Sequence, residues 1–277
     1  MRDPRVRSAR GKTGTISVAP GCSTVARQPA TDSGDDTERE VDRRGDRAKS
    51  HTTTADTSCH TDRVPHPYWP LFDLRVRTPR LELRGIDDEM ATELAALAAQ
   101  GIHDPGFMPF AFEWTDAPPA ELPRNTMQFY WRCRADWRPT FWNLNLAVLV
   151  GERVVGTTGL IAHDFPTLRT FESGSWLGRE HQGQGIGTEM RIATLHLGFL
   201  GFGAEVATTA AFADNGPSLG VTRKLGYIPN GESTKIRRGA PALSYQFTMT
   251  AEHFRTSVRR DDIELFGVEP CLPLMGL

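Results

Sequence analysis

One stretch, His181-Gln182-Gly183-Gln184-Gly185-Ile186-Gly187-Thr188-Glu189-Met190, constrains this chain more than any other. An alternating segment, Glu172 to Gly178, precedes it, and a run with apolar residues at helical spacing, Met190 to Phe199, follows it. The pattern predicts a strand, a glycine-rich turn and a helix. Such a turn directs backbone N–H groups and the positive end of a helix dipole at one small volume, which suits a pyrophosphate. Glycines serve there because a Cβ would hold the phosphate away and because tight turns use positive φ. The alternative is a capped helix start that binds nothing.

Two familiar phosphate loops fit badly. The Walker A loop needs Lys-Ser/Thr after its last glycine, whereas Gly187 is followed by Thr188-Glu189. The dinucleotide fingerprint needs a glycine where Thr188 stands, and Glu205 alone is a thin candidate for its ribose-binding acid. A third pattern, Gln/Arg-x-x-Gly-x-Gly, is met by Gln182, Gly185 and Gly187. It resembles motif A of the GNAT superfamily of N-acyltransferases. Downstream, Glu205 to Phe212 reads as a strand rich in β-branched residues. Asp214-Asn215-Gly216-Pro217-Ser218 then starts a short helix that ends at Leu225-Gly226-Tyr227. This resembles the second GNAT block, strand, Asn-x-x-Ser, helix, Leu-Gly-aromatic, and the two blocks stand in the family's order.

Composition narrows the rest. Over 277 residues the formal net charge is -2, so no basic excess points to a nucleic-acid partner. No apolar run is long enough to predict a membrane span. Cys22, Cys59, Cys133 and Cys271 are scattered without metal-ligand spacing, which predicts free thiols in a cytoplasmic protein and no metal site. Residues 1–63 are Arg, Asp, Ser, Thr, Gly and Pro with little apolar periodicity, so they cannot offset their chain entropy by burial. We expect a disordered leader, 1–67, that is neither a secretory signal nor a transit peptide, and an ordered domain over 68–277 with a C-terminal extension from about residue 255.

Within 68–277, Leu74–Arg77 and Arg80–Arg84 alternate around Thr78-Pro79, which confines them to an edge strand or a bulge. Thr-Pro-Arg-Leu-x-Leu-Arg here resembles the RimJ/RimL branch of GNAT proteins, which modify ribosomal-protein N-termini. Asp87 should cap a helix running to Ala99. A long Pro- and aromatic-rich loop, 101–123, is a candidate wall for an acceptor pocket. A helix follows over Leu122–Trp137, then strands over Leu144–Val150, Arg153–Leu160, Thr170–Leu177 and Ala242–Thr250. The short apolar tail Ile263–Leu277 fits either a last strand or a segment docking on another subunit, which would make a homo-oligomer. The fold class is α/β (α+β): a mixed, mostly antiparallel central sheet flanked by helices. The resemblance adds that two central strands splay apart at the acyl-CoA site.

It also implies acyl transfer from acyl-CoA to a primary amine of a protein N-terminus, a lysine or a small molecule. On that reading Gln182, Gly183, Gln184, Gly185, Ile186, Gly187 and Thr188 seat the pyrophosphate. Trp176 and Leu177 form the strand edge that pairs with pantetheine, with the Leu177 N–H the first candidate to hold the thioester oxygen. Asn215 matches the family's pantetheine-contacting residue, or else forms an Asx turn. Ser218 matches the residue that hydrogen-bonds the thiolate, or else is a helix-start hydroxyl. Tyr227 is a proton donor or a core aromatic. Some relatives place a catalytic Glu where Ala210 stands here. Glu172 is the best remaining base; His103, Asp104 and His163 are looser candidates, and ordered water is a further route. Trp-Pro-Leu-Phe-Asp-Leu-Arg, Ser-Gly-Ser-Trp-Leu-Gly and Gly-Thr-Glu-Met-Arg are similar to a mycobacterial subgroup associated with succinyl-CoA, so acetyl-CoA and succinyl-CoA both stand as donors. Arg132, Arg134 and Arg138 are candidates to meet a succinyl carboxylate. The reading from another class is an acyl-CoA-binding module without catalysis.

Overall fold

A computed structural model describes residues 64–277; the expectations for residues 1–63 lie outside the described residues. Nine strands form one sheet: β1 (Arg75–Arg77), β2 (Glu82–Gly85), β3 (Phe141–Val150), β4 (Arg153–His163), β5 (Thr170–Leu177), β6 (Val206–Phe212), β7 (Ile228–Arg237), β8 (Ala240–Thr250) and β9 (Glu264–Phe266). Their order is β7-β8-β6-β5-β4-β3-β2-β1-β9. Every pairing is antiparallel except β5 with β6. The helices are α1 (Asp88–Ala99), α2 (Leu122–Ala135), the short α3 (Phe165–Leu168), α4 (Ile186–His196), α5 (Gly216–Lys224) and the single turn α6 (Ala251–His253).

Side-chain alternation along β5 assigns the two faces of the sheet. Phe171 is buried against Phe199, at 5.7 Å between ring centroids, and against Gly198, where a Cβ would sit 2.3 Å from its ring. Phe171, Ser173, Ser175 and Leu177 therefore face α4, and Glu172, Gly174 and Trp176 face the other side. On that second side α1 and α2 bury Ala91, Leu94, Phe129 and Tyr130 against Ala147, Leu149 and Val154. Asp87 caps α1 as the sequence predicts, its carboxylate accepting from the Met90 N–H at 2.9 Å.

One element differs from the sequence reading, and the tail takes the first of its two alternatives. Ile228–Arg237 is a full edge strand that alternation does not predict. Its residues are polar or exposed on nearly every position, and its pairing with β8 slips between Pro229 and Glu232. Backbone hydrogen bonds to β8 define this strand where apolar periodicity cannot. The C-terminal tail begins as a short strand, β9, pairing on β1, and continues as a 3-10 helix over Glu269–Met275. Cys271 and Met275 are fully buried behind it, and the Trp137 indole N–H donates to the Leu274 carbonyl at 2.8 Å.

Candidate active site

β5 and β6 pair in parallel only over Thr170–Glu172 and Val206–Thr208, although both strands run on for several residues. Beyond that vertex they part. Thr209 donates through Oγ1 to the Ser173 carbonyl at 3.1 Å, a last cross-link at the foot of the gap. On the opposite edge β5 stays paired to β4 as far as Leu177. The Trp176 carbonyl points at β4, because a Cβ on Gly156 would lie 2.3 Å from it, and the Gly178 N–H donates to Val155 O at 2.9 Å. Backbone groups alternate in direction along a strand, so the N–H groups of Ser175 and Leu177 point into the gap and that of Trp176 does not. Of the two, Leu177 is the one whose N–H is directed into the gap.

The glycine-rich turn stands at the mouth of the gap. Gly183 and Gly185 have φ of 73° and 80°, values that side chains disfavour. Gly185 is the N-cap of α4 and no side chain caps this helix; the Thr188 N–H donates to the Gly185 carbonyl at 3.2 Å, while the Ile186 and Gly187 N–H groups ahead of it have no side-chain acceptor. A Cβ on Gly187 would point between Leu177, at 3.9 Å, and Val221 of α5, at 4.0 Å, so this glycine keeps the groove open. Thr78 and Arg80 brace the turn from behind. Both bond the buried Glu189 carboxylate, Thr78 Oγ1 at 2.6 Å and Arg80 Nε at 2.7 Å, while Arg80 Nη1 reaches the Gln184 carbonyl at 3.3 Å. Gln182 does not extend toward the groove. Its amide donates to Leu177 O at 2.9 Å and to Ile102 O at 2.8 Å, stapling the turn to β5 and to the loop after α1.

Asn215 is the N-cap of α5: its side chain accepts from the Ser218 N–H at 3.2 Å and donates to Pro109 O at 3.5 Å. Ser218 lies half-buried on the first turn of that helix. Tyr227 is in the core at 5% exposure, and its hydroxyl is buried without a hydrogen-bond partner among the described residues. Glu172 stands at the vertex, opposite Thr208 of β6. Burial pushes its carboxyl up to about 7, against the pull of the Lys235 and Arg191 charges. A carboxylate so poised can take a proton near neutral pH.

The loop after α1 crosses this same face. Trp114 packs on Trp176 with ring centroids 5.8 Å apart, and Phe110 on Trp114 at 5.4 Å. Its far side is fastened by two arginines at the β7–β8 turn. Arg238 forms a two-point pair with Asp116 at 2.7 and 2.6 Å and bonds Pro105 O at 2.8 Å. Arg237 forms a two-point pair with Asp214 at 2.8 and 2.7 Å, bonds Met108 O at 3.4 Å and covers the Phe212 ring. The loop is thus a strap tied at one end by Gln182 and at the other by Arg237 and Arg238.

His103 and Asp104 belong to that strap. His103 Nε2 is 2.7 Å from Thr115 Oγ1, and Asp104 accepts from the Gly106 N–H at 2.8 Å. His163 is exposed at the end of β4, against the Phe141 ring. Arg134 is committed to Asp88 at 2.5 Å. The structure instead brings forward Arg191, which spacing arguments pass over: it is 7% exposed and lies across the vertex of the gap. A signal was available, since Arg191 shares a helical stripe with Gly187, Leu195 and Gly198, where a solvated arginine has no place.

Comparison with known proteins agrees with this geometry. Residues 80–228, more than half of the chain, match the acetyltransferase (GNAT) domain family, and the chain belongs to it. It is an acyl-CoA-dependent N-acyltransferase, and proteins named RimJ and RimL share its fold. Similar solved structures include Mycobacterium smegmatis RimJ in complex with CoA-disulfide, at 20% identity and a TM-score of 0.53, over 66% of this chain and 89% of that one. The ribosomal-protein-S5-alanine acetyltransferase of Vibrio fischeri is 17% identical, with a TM-score of 0.52 over 64% and 97% of the two chains. A GNAT acetyltransferase of Brucella melitensis is 16% identical, with a TM-score of 0.54 over 65% and 80%. No helix among the described residues is long and apolar enough to cross a membrane, and no cluster among them could hold a metal ion.

Proposed function

We propose that the chain seats an acyl-CoA with its pyrophosphate on Gly183 to Thr188 and its pantetheine arm in the gap between β5 and β6, and that it transfers the acyl group to an amine entering beneath the strap. The observation that carries this reading is the parting of β5 from β6 beside the uncapped start of α4. The pantetheine amides add to the exposed edge of β5, and the thioester oxygen takes the Leu177 N–H. The amine nitrogen attacks the thioester carbon, the C–S bond breaks, and the nitrogen's proton leaves through a chain of waters toward Glu172, which lies roughly 16 Å down β5 from Leu177. Glu172 stands in for the carboxylate that Ala210 lacks. The thiolate is protonated on leaving, with the Ser218 hydroxyl or the Tyr227 phenol as donor. The unpaired hydroxyl of Tyr227 fits that task, because a buried donor without an acceptor is costly until a ligand supplies one.

Several neighbours bear the names of ribosomal-protein acetyltransferases. On that basis a protein N-terminal amine in the cytoplasm is the first acceptor to test, before lysines and small amines. Acetyl-CoA and succinyl-CoA are the donors to offer. Mass spectrometry of CoA species carried by the protein, followed by acyl transfer to N-terminal peptides and small amines, tests the proposal. Tight CoA binding with no turnover on any acceptor would favour the catalysis-free module. Failure of every CoA thioester to bind would overturn the site.

A further inference from the structure

An acidic side chain stands where an incoming pyrophosphate would least tolerate one. Glu189 lies in the first turn of α4, three residues after Ile186. Long helical side chains lean back toward the helix N-terminus, over the residues three and four positions earlier. For Glu189 those are Ile186 and Gly185, the open end of the helix. A free carboxylate there would turn to the Ile186 and Gly187 N–H groups and gain from the helix dipole. The helix start would then be capped by its own chain, and a negative charge would stand beside the glycine turn.

The carboxylate is held elsewhere. Glu189 is 6% exposed, and both of its oxygens are engaged. Oε1 accepts from Thr78 Oγ1 at 2.6 Å and from the Arg80 backbone N–H at 3.3 Å. Oε2 accepts from Arg80 Nε and Nη2, each at 2.7 Å. Burial alone would raise this carboxyl, but the bonds from Thr78 and Arg80 outweigh burial and keep it below its ordinary value. It is therefore ionised, with Arg80 as its counter-charge. Arg260, a further cation in its field, is already spent on Asp262 in a two-point pair. All four donors come from Thr78-Pro79-Arg80, the step between β1 and β2. That step is itself fixed, since Thr78 Oγ1 also accepts from the Leu81 N–H at 2.9 Å.

We infer that Thr78 and Arg80 are positioning residues for acyl-CoA: they draw Glu189 away from the start of α4 and neutralise it, which keeps that start open to the pyrophosphate. This rests on the CoA site proposed above, and the test separates the two. Calorimetry on the full chain measures CoA affinity in the wild type, Arg80→Met, Glu189→Gln and the double variant. Arg80→Met should lose about tenfold or more, because the released carboxylate competes for the N–H groups and repels the phosphates. Removing the charge as well should rescue binding, so the double variant should return to within a few-fold of Glu189→Gln. An arginine that bonded the phosphates itself, or only propped the turn through the Gln184 carbonyl, would leave the double variant as weak as Arg80→Met. That result would overturn the inference and leave the CoA site standing, as would wild-type affinity in a folded Arg80→Met protein. If Arg80→Met does not fold, Glu189→Gln and the double variant decide: equal affinity supports the inference, and a tenfold difference overturns it. Absence of CoA binding by the wild-type protein would overturn the site itself, and this inference with it.

Discussion

The starts of α4 and α5 stand side by side at the mouth of the gap, and they are finished in opposite ways. At α5 the helix is closed by its own chain: Asn215 accepts from the Ser218 N–H. At α4 the capping position is Gly185, no side chain reaches the first turn, and Glu189 is drawn aside by Thr78 and Arg80. Both ends carry the partial positive charge of a helix dipole. Only α4 leaves its first two N–H groups without a side-chain cap. The proposed CoA site uses the helix start whose sequence withholds the cap, and the joint to the strap uses the one that supplies it.

The largest effect should come from filling the open end. In Gly187→Trp the indole would occupy the groove between Leu177 and Val221, where φ is unexceptional and the backbone need not strain. CoA affinity should fall by about a hundredfold or more, ~2.7 kcal/mol, with a melting temperature within a few degrees of wild type. Wild-type affinity by calorimetry would show that the groove is not the CoA path.

Glu172→Gln should separate binding from turnover. We expect kcat/KM to drop by about a hundredfold with CoA affinity unchanged. In the wild-type protein kcat/KM should rise with pH and level off above about 7, following ionisation of the base that burial has pushed up to about 7. The variant should lack that rise. Stability should respond with the opposite sense. The folded protein holds this proton more tightly than the unfolded chain, so wild-type stability falls as pH climbs from the ordinary carboxylate range to about 7, then flattens. Melting curves of Glu172→Gln should lack that fall; an identical pH dependence in both proteins would exclude Glu172 as the titrating group.

Two smaller changes sharpen the contrast between the helix starts. Asn215→Ala removes the cap of α5 and should cost ~1 kcal/mol of stability, read from denaturant midpoints, with CoA affinity kept within a few-fold. A hundredfold loss of affinity instead would assign Asn215 to the ligand. Gly183→Ala puts a side chain at φ 73° with nothing within 4 Å of its Cβ, so it should cost about 1–2 kcal/mol through backbone strain alone. A larger loss of CoA binding than of stability would show that the Cβ meets the phosphate.

Much of this layout is legible in the sequence because it is local. The glycine run predicts its own turn, Asp87 its cap, and the alternation around Glu172 the strand β5. What sequence could not show is held by long-range partners. Ile228–Arg237 is a strand because β8 lies beside it, not because its residues alternate. Arg237 and Arg238 read as a charged turn, and their role as fasteners of the strap depends on Asp214, Asp116 and loop carbonyls far along the chain. Gln182 matches a phosphate-loop position, yet its amide is used as a staple between two carbonyls. The choice of Leu177 over Trp176 needs the direction in which β5 meets β4, a property of register.

The tail has a consequence for quality control. β9 lies against β1, so the outer edge of the sheet is made by residues near 75 and 266 together. Behind it, Leu274 holds Trp137, which stacks on Trp142, and Met275 and Cys271 are sealed. A chain cut short by a dozen residues would retain every group of the groove and the vertex. It would also display a contiguous apolar patch of the kind that promotes aggregation. The Glu269–Met275 turn thus acts as a lid on an apolar patch that lies apart from the groove.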